Sequence, residues 1–251
     1  MKTIRYESPE QLRTAGLQVG DEVIIPCSWL PSESDFFYPF MAAKWPDRKP
    51  RPIVEDAVFE VAATGVYGAQ LALVAKDLSR LVDGYDYTCF AHKRTAGWAD
   101  SDLCFLLNRG VARDILGTEQ TLCTGQLPRE LQEAILPRTV RQTVKGGVEE
   151  KECRFWALSV TEMFGPKPGP LYCDDWLYLE PAAADDGEDV WFPLYRQAAR
   201  RPRVTHEEEQ SWWLRTLLDD ECTLGTVVTQ KGNLAPHPVG KWAYSFFGFL
   251  L

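Results

Sequence analysis

Histidine is scarce in this chain, and its scarcity narrows the chemistry. His92, His206 and His237 are the whole complement. No two are close in sequence, and Thr205-His206-Glu207-Glu208-Glu209 lacks the second His at helical spacing that a zinc-protease motif needs. That segment reads as a solvated charged loop. The seven cysteines, Cys27, Cys89, Cys104, Cys123, Cys153, Cys173 and Cys222, make no C-x-x-C pair. Their odd number and scattered spacing fit reduced, mostly buried thiols in a protein made in the cytosol. No window holds about 18 consecutive apolar residues, so no segment reads as a membrane span. The start, Met1 to Glu7, has no apolar core of a signal peptide. Positive charge is in deficit: 27 Lys and Arg against 36 Asp and Glu, a net charge of −9. That balance argues against nucleic acid as a partner. No glycine-rich phosphate loop is present: Gly65-Val66-Tyr67-Gly68 lacks the Lys and the following helix, and Gly146-Gly147 reads as a turn.

What is present is apolar and aromatic. Of 251 residues, 45% are hydrophobic and nine are Trp, enough for a sizeable core, while 18 Gly and 17 Pro point to many turns. The organising stretch is Ser211-Trp212-Trp213-Leu214-Arg215-Thr216, a strand flanked by Glu207 to Glu209 and by Asp219, Asp220 and Glu221. Successive side chains on a strand face opposite sides. One indole is thus expected in the core and the other under a loop or helix. Arg215, set in this apolar run, requires carboxylate or carbonyl partners, because an unpaired buried charge is costly.

The remaining elements read in order. An edge strand and a short helix with a capping box at Ser8-Pro9-Glu10-Gln11 fill residues 1–16. Val23 to Pro26 is a strand. Residues 31–52, with five Pro and five aromatics, form either an insertion packed on the domain or a contact to another subunit. Ala57–Ala62 and Gln70–Ala75 make a hairpin about Gly65 and Gly68, and Tyr85 to Phe90 is a further strand. Leu103, Leu107, Val111 and Ile115 recur at four-residue spacing and predict a helix over 101–116. A second helix spans about 128–136, and Thr139 to Val144 is extended. Arg154–Leu158 is a strand, followed by a second capping box, Ser159-Val160-Thr161-Glu162, and a helix closed by Gly165. Residues 166–190 are loop-like and end in an acidic run through Asp189. Trp191, Leu194, Tyr195 and Ala198 fall at helical spacing. Thr226–Thr229 leads into a turn at 230–233. The apolar stretch Trp242 to Leu251 is a last strand that belongs inside the sheet. No domain boundary is evident, so 1–251 reads as one domain with an insertion at about 31–52.

The order of certain motifs carries a resemblance. Trp98-Ala99-Asp100-Ser101-Asp102-Leu103 precedes Leu107-Asn108, and Leu127-Pro128-Arg129-Glu130-Leu131 opens the next helix. Leu158-Ser159 with Glu162, Trp212-Trp213-Leu214-Arg215 and an aromatic final strand follow. This series resembles the DUF6273 domain of proteins from gut Firmicutes and their phages, whose chains read W…S.LR.WLN, lpeel…i, LS..E and WWLRS. Here Cys104 stands at the Arg of LR.WLN, Leu106 stands at the Trp, and the family's terminal Arg and Pro are absent.

The resemblance implies an α+β, C-type-lectin-like fold, a mixed and mainly antiparallel sheet with two main helices. It also implies kinship with the formylglycine-generating group and with the variable proteins of diversity-generating retroelements. Such folds recognise through their last loops, here 217–224 and 233–244. The candidate binding residues are accordingly Asp219, Asp220, Glu221, His237, Lys241, Trp242 and Tyr244. The acidic three are also carboxylates of the kind that hold calcium in lectins. Trp212, Trp213 and Arg215 are structural. No catalytic residue, metal site or cofactor is expected. The functional expectation is a non-enzymatic phage or prophage virion protein, in a tail fibre, baseplate or head decoration. It would be assembled in the bacterial cytoplasm as a homo-oligomer, by analogy a trimer, and would bind other virion proteins or a cell-surface receptor that includes glycan. The alternatives are a formylglycine-generating-type oxidoreductase, which needs a metal or paired cysteines in the C-terminal half, and a cytosolic variable ligand-binding protein.

Overall fold

The structure is a computed structural model. It describes residues 1–29, 53–77, 87–91, 97–109, 111–113, 119–121, 127–144, 147–166, 171–173, 177–179, 189–196, 211–218, 221–229, 232–240, 242–245 and 247–251. The stretch 31–52 lies outside these residues, as do His92, His206, Asp219, Asp220 and Lys241.

Branched and aromatic residues between turn signals build strands, and the fold is mixed α+β with mainly antiparallel pairing. In chain order the first elements are β1 (Thr3–Arg5), α1 (Pro9–Thr14), β2 (Glu22–Trp29), β3 (Ile53–Val66), β4 (Ala69–Asp77) and β5 (Tyr87–Cys89). A 3-10 turn at Trp98–Asp100 leads into α2 (Asp102–Arg109), then β6 (Val111–Arg113), β7 (Glu119–Thr121), α3 (Arg129–Ala134), β8 (Arg138–Val144) and β9 (Gly147–Cys153). There follow β10 (Phe155–Ala157), α4 (Val160–Phe164), β11 (Leu171–Cys173), β12 (Leu177–Leu179) and a 3-10 turn at Pro193–Arg196. The chain closes with β13 (Trp212–Leu217), β14 (Leu224–Val228), β15 (Leu234–Pro238), β16 (Trp242–Ser245) and β17 (Phe247–Leu250).

Two sheets form the body. One runs β1-β2-β3-β4-β17-β10 and the other β15-β14-β13-β16-β5, and among the described residues the parallel pairs are β1/β2 and β13/β16. Three hairpins, β6/β7, β8/β9 and β11/β12, stand apart. The β3/β4 turn places Tyr67 and Gly68 at φ 53° and 76°. Two positive φ values in a two-residue loop are the requirement of a type I′ hairpin, which matches strand twist.

Several expectations are corrected. The helix from 101 stops at Arg109, and Val111–Arg113 pairs with Glu119–Thr121. β-branched Val111 suits a strand better than a helix. Residues 166–190 are not wholly loop, since Leu171–Cys173 pairs with Leu177–Leu179. The last strand is two strands: β16 joins β13 and β5, whereas β17 lies between β4 and β10 in the other sheet. The expectation that the C-terminus lies within a sheet holds: Leu251 exchanges both backbone hydrogen bonds with Leu71.

The core is continuous across both sheets. Phe59 meets Phe247 and Phe249 edge to face at 5.8 and 5.2 Å, and Phe155 meets the same pair at 5.7 and 6.0 Å. Trp212 and Trp213 are both fully buried. Trp213 packs edge on to Phe90 at 5.6 Å, and an added Cβ at Gly225 would lie 2.9 Å from the Trp213 Cζ3.

Candidate functional site

Arg215 has the partners its apolar surroundings demand, and it shares them with a second arginine. Its Nη1 donates to Glu162 Oε2 at 2.7 Å and to the Ala157 carbonyl at 3.0 Å, and its Nη2 pairs with Asp189. Arg138 pairs with the other oxygen of each carboxylate. The result is a closed ring of two cations and two anions, with net charge zero. All four side chains are at most 6% exposed.

Local structure prepares this ring. Ser159 caps α4: its Oγ accepts the Glu162 N–H at 3.0 Å, and the Ser159 N–H donates to Glu162 Oε2 at 2.9 Å. The capping box thus turns the Glu162 carboxylate inward. Tyr67, at the β3/β4 turn, donates its hydroxyl to Glu162 Oε1 at 2.9 Å and accepts the Val190 N–H. Each Glu162 oxygen therefore receives two donors, which fills its acceptor capacity. The Arg138 guanidinium lies 3.7 Å from the Tyr67 ring centroid and 4.9 Å from that of Trp156. Burial alone would raise the Glu162 pKa, but Arg138, Arg215 and the Ser159 N–H overcome it and hold the carboxyl at about 2. Burial, with the Glu162 charge behind it, pushes the Tyr67 phenol well up.

The ring's neighbours carry the link between sheets. Arg215 N–H donates to the Leu158 carbonyl at 2.9 Å, and Val160 N–H donates to Thr216 Oγ1 at 2.9 Å. Gln142 donates to the Arg215 carbonyl at 2.7 Å and accepts from the Trp98 N–H. Asn108 Nδ2 donates to the Phe155 carbonyl at 2.9 Å, and its Oδ1 accepts from the N–H groups of Arg154 and Phe155. The motif residues Trp98, Ser101, Asn108, Ser159, Glu162, Trp212, Trp213 and Arg215 are thus joints of the scaffold. The expectation that Arg215 needs carboxylate or carbonyl partners is met, by two carboxylates and one carbonyl. The identity of those carboxylates escaped sequence reasoning. Glu162 was legible only as a cap, Asp189 only as one of an acidic run, and Arg138 carried no signal.

The last connections hold the candidate binding residues. Leu218 N–H donates to the Leu224 carbonyl at 2.9 Å and closes the first loop. Within it Cys222 is buried at φ 56°, a left-handed conformation uncommon for a residue with a Cβ. Val239 N–H donates to the Thr223 carbonyl at 3.1 Å, and the Val239 carbonyl accepts from Ala91 N–H at 3.1 Å. These bonds tie Val239 to Thr223 on one side and to Ala91 on the other. Glu221 is exposed on that loop. His237 is half-buried on β15, edge on to Trp213 at 5.2 Å. Trp242 and Tyr244 lie on β16, with backbone positions opposite Cys89 and Tyr87, and Tyr244 is also opposite Trp212. β11 runs beside β15. Pro236 and Pro238, at alternate positions of β15, remove two N–H donors from one side of that strand.

Among the described residues no group of three or more His, Cys, Asp or Glu is placed to hold a metal ion. Likewise no helix among them is long and apolar enough to cross a membrane.

Searches of curated proteins and of solved structures return no match. A family model, described as "Domain of unknown function (DUF6273)", matches residues 70–239. That span reaches from β4 to the turn after β15 and takes in α2, α3, the capping box at Ser159 and the Trp212-Trp213-Leu214-Arg215 strand. The chain belongs to the DUF6273 family.

Proposed function

We propose that this protein is a non-enzymatic virion structural protein of a phage or prophage, with a C-type-lectin-like scaffold that displays its C-terminal loops to a receptor or to neighbouring subunits. The observation that carries this reading is the Val239–Thr223 hydrogen bond. It ties the β13/β14 connection to the β15/β16 connection, next to a strand, β13, anchored by the ring of four charges. The strongest polar groups of the family motifs satisfy one another inside the molecule, which favours a framework role for them over a role at a substrate. On the loops and β15, Glu221 is exposed and His237 half-buried. A glycan receptor fits the residue types there, since carboxylates and aromatic rings are what sugar binding employs. The oxidoreductase alternative calls for a sulfur pair that substrate can reach. Among the described residues the sulfur pair is Cys104 and Cys153, sealed in the core at 2% exposure each, which weighs on the side of display.

The test is to induce particles from a host carrying the gene, purify them and identify their proteins by mass spectrometry. Display predicts this chain in stoichiometric amount on the particle. It also predicts that Glu221→Lys particles attach less well to host cells while assembling normally. Absence of the chain from purified particles overturns the reading.

A further inference from the structure

We propose that Cys104 and Cys153 are a built-in dithiol that closes reversibly to a disulfide, clasping α2 to the end of β9. Their sulfurs lie 3.8 Å apart, and both side chains are 2% exposed. A disulfide needs about 2.05 Å between sulfurs, so side-chain rotations that bring each sulfur roughly 0.9 Å inward suffice. The two residues are 49 apart in sequence. The clasp would therefore enclose α2, β6, β7, α3 and the β8/β9 hairpin in one covalent loop.

The surroundings distinguish the two sulfurs. Cys104 sits on α2, its thiol pushed well above the ordinary range by the contact with Cys153 and by burial. Cys153 is lowered, first by its contact with Cys104. The buried indole N–H of Trp98 lies on the Cys153 side and favours its thiolate, as does the Arg215 charge. Cys153 is thus the nucleophile and Cys104 the resolving thiol. The buried pair admits only a small oxidant, and we assign hydrogen peroxide. The Cys153 thiolate attacks one peroxide oxygen, the O–O bond breaks, and the departing hydroxide takes up a proton as water. The Cys104 sulfur then attacks the resulting sulfenic sulfur. The S–S bond forms, the S–O bond breaks, and hydroxide leaves with the Cys104 proton as a second water. Two thiols are oxidised and one peroxide is reduced to two waters.

The clasp is proposed for this chain. Its use rests on the display reading: closure would follow passage from a reducing cytosol to an oxidising exterior. The bond itself does not depend on that reading, and the test reads only the bond.

The purified full chain is treated with hydrogen peroxide under native conditions, its remaining thiols are alkylated, and it is digested with trypsin. The expected product is a cross-link between peptides 95–109 and 152–154, lighter than the two thiol peptides by two hydrogens and separated by a reductant. The Tm should rise by about 5 °C or more, since the clasp constrains the unfolded chain. Cys104→Ser should lose the cross-link and leave Cys153 oxidised to its sulfinic acid. Recovery of both cysteines as free thiols, or of the cross-link only after denaturant is added, overturns the proposal. So does separate overoxidation of the two in the folded wild type.

Discussion

Glu162 concentrates the energetics of this fold in one side chain. Its carboxylate takes four donors and faces two guanidiniums, Arg138 and Arg215, with the Asp189 carboxylate completing the ring. Removing one member leaves uncompensated buried charge, which costs about 3–5 kcal/mol. Arg215→Met and Glu162→Gln should each lower the free energy of unfolding by about that amount at pH 7, measured by urea denaturation. The pH dependence follows from the direction of the shift. The folded pKa of about 2 lies below the unfolded value of about 4.3. The stabilisation is therefore complete above about pH 4.3 and is lost as pH falls through the folded value. Wild-type stability should fall over that acid window, and Glu162→Gln should show a shallower slope there. Equal slopes would show that the ring is not the group titrating.

Elements show how local and distant demands meet. The Ser159 box forms as its spacing predicts, and Ser159→Ala should cost about 1–2 kcal/mol because one hydroxyl both caps α4 and aims Glu162. Two glycines separate steric from conformational constraint. At Gly225 a methyl would meet the Trp213 ring at 2.9 Å, so Gly225→Ala should destabilise by about 1–3 kcal/mol and shift the tryptophan fluorescence. At Gly232 nothing lies within 4 Å but φ is 78°. Gly232→Ala should cost about 1 kcal/mol and leave the fluorescence unchanged. Interchanged results would contradict the packing of Trp213. Hairpins and caps were legible because neighbours in sequence make them. The shortened α2 was not, since four-residue apolar spacing from Leu103 to Ile115 fits a helix equally well until β7 supplies a partner for Val111–Arg113.

At the scale of the whole molecule, the last ten residues stitch the two sheets together. β16 belongs to one and β17 to the other, and β17 is hydrogen-bonded on both sides, by β4 and β10. All four of its residues are buried. Truncation after Ser245 should therefore abolish cooperative unfolding and near-ultraviolet circular dichroism. In the intact chain the amides of Phe249 and Leu250 should rank among the slowest to exchange. A truncated chain that melts cooperatively would show that β17 is dispensable.

Residue order was enough to specify the α+β class, a hairpin about Gly65 and Gly68, the Ser159 box and the need of Arg215 for carboxylate or carbonyl partners. Each of these depends on spacing within a few residues, where backbone geometry leaves few alternatives. Which carboxylates answer Arg215, which sulfur meets Cys104, and which sheet receives each half of the closing strand were settled by the fold alone. Those partners lie 53, 26 and 49 residues away in the first two cases, and contacts at such separations are chosen by sheet register and by how the two sheets pack, not by any local preference of the chain.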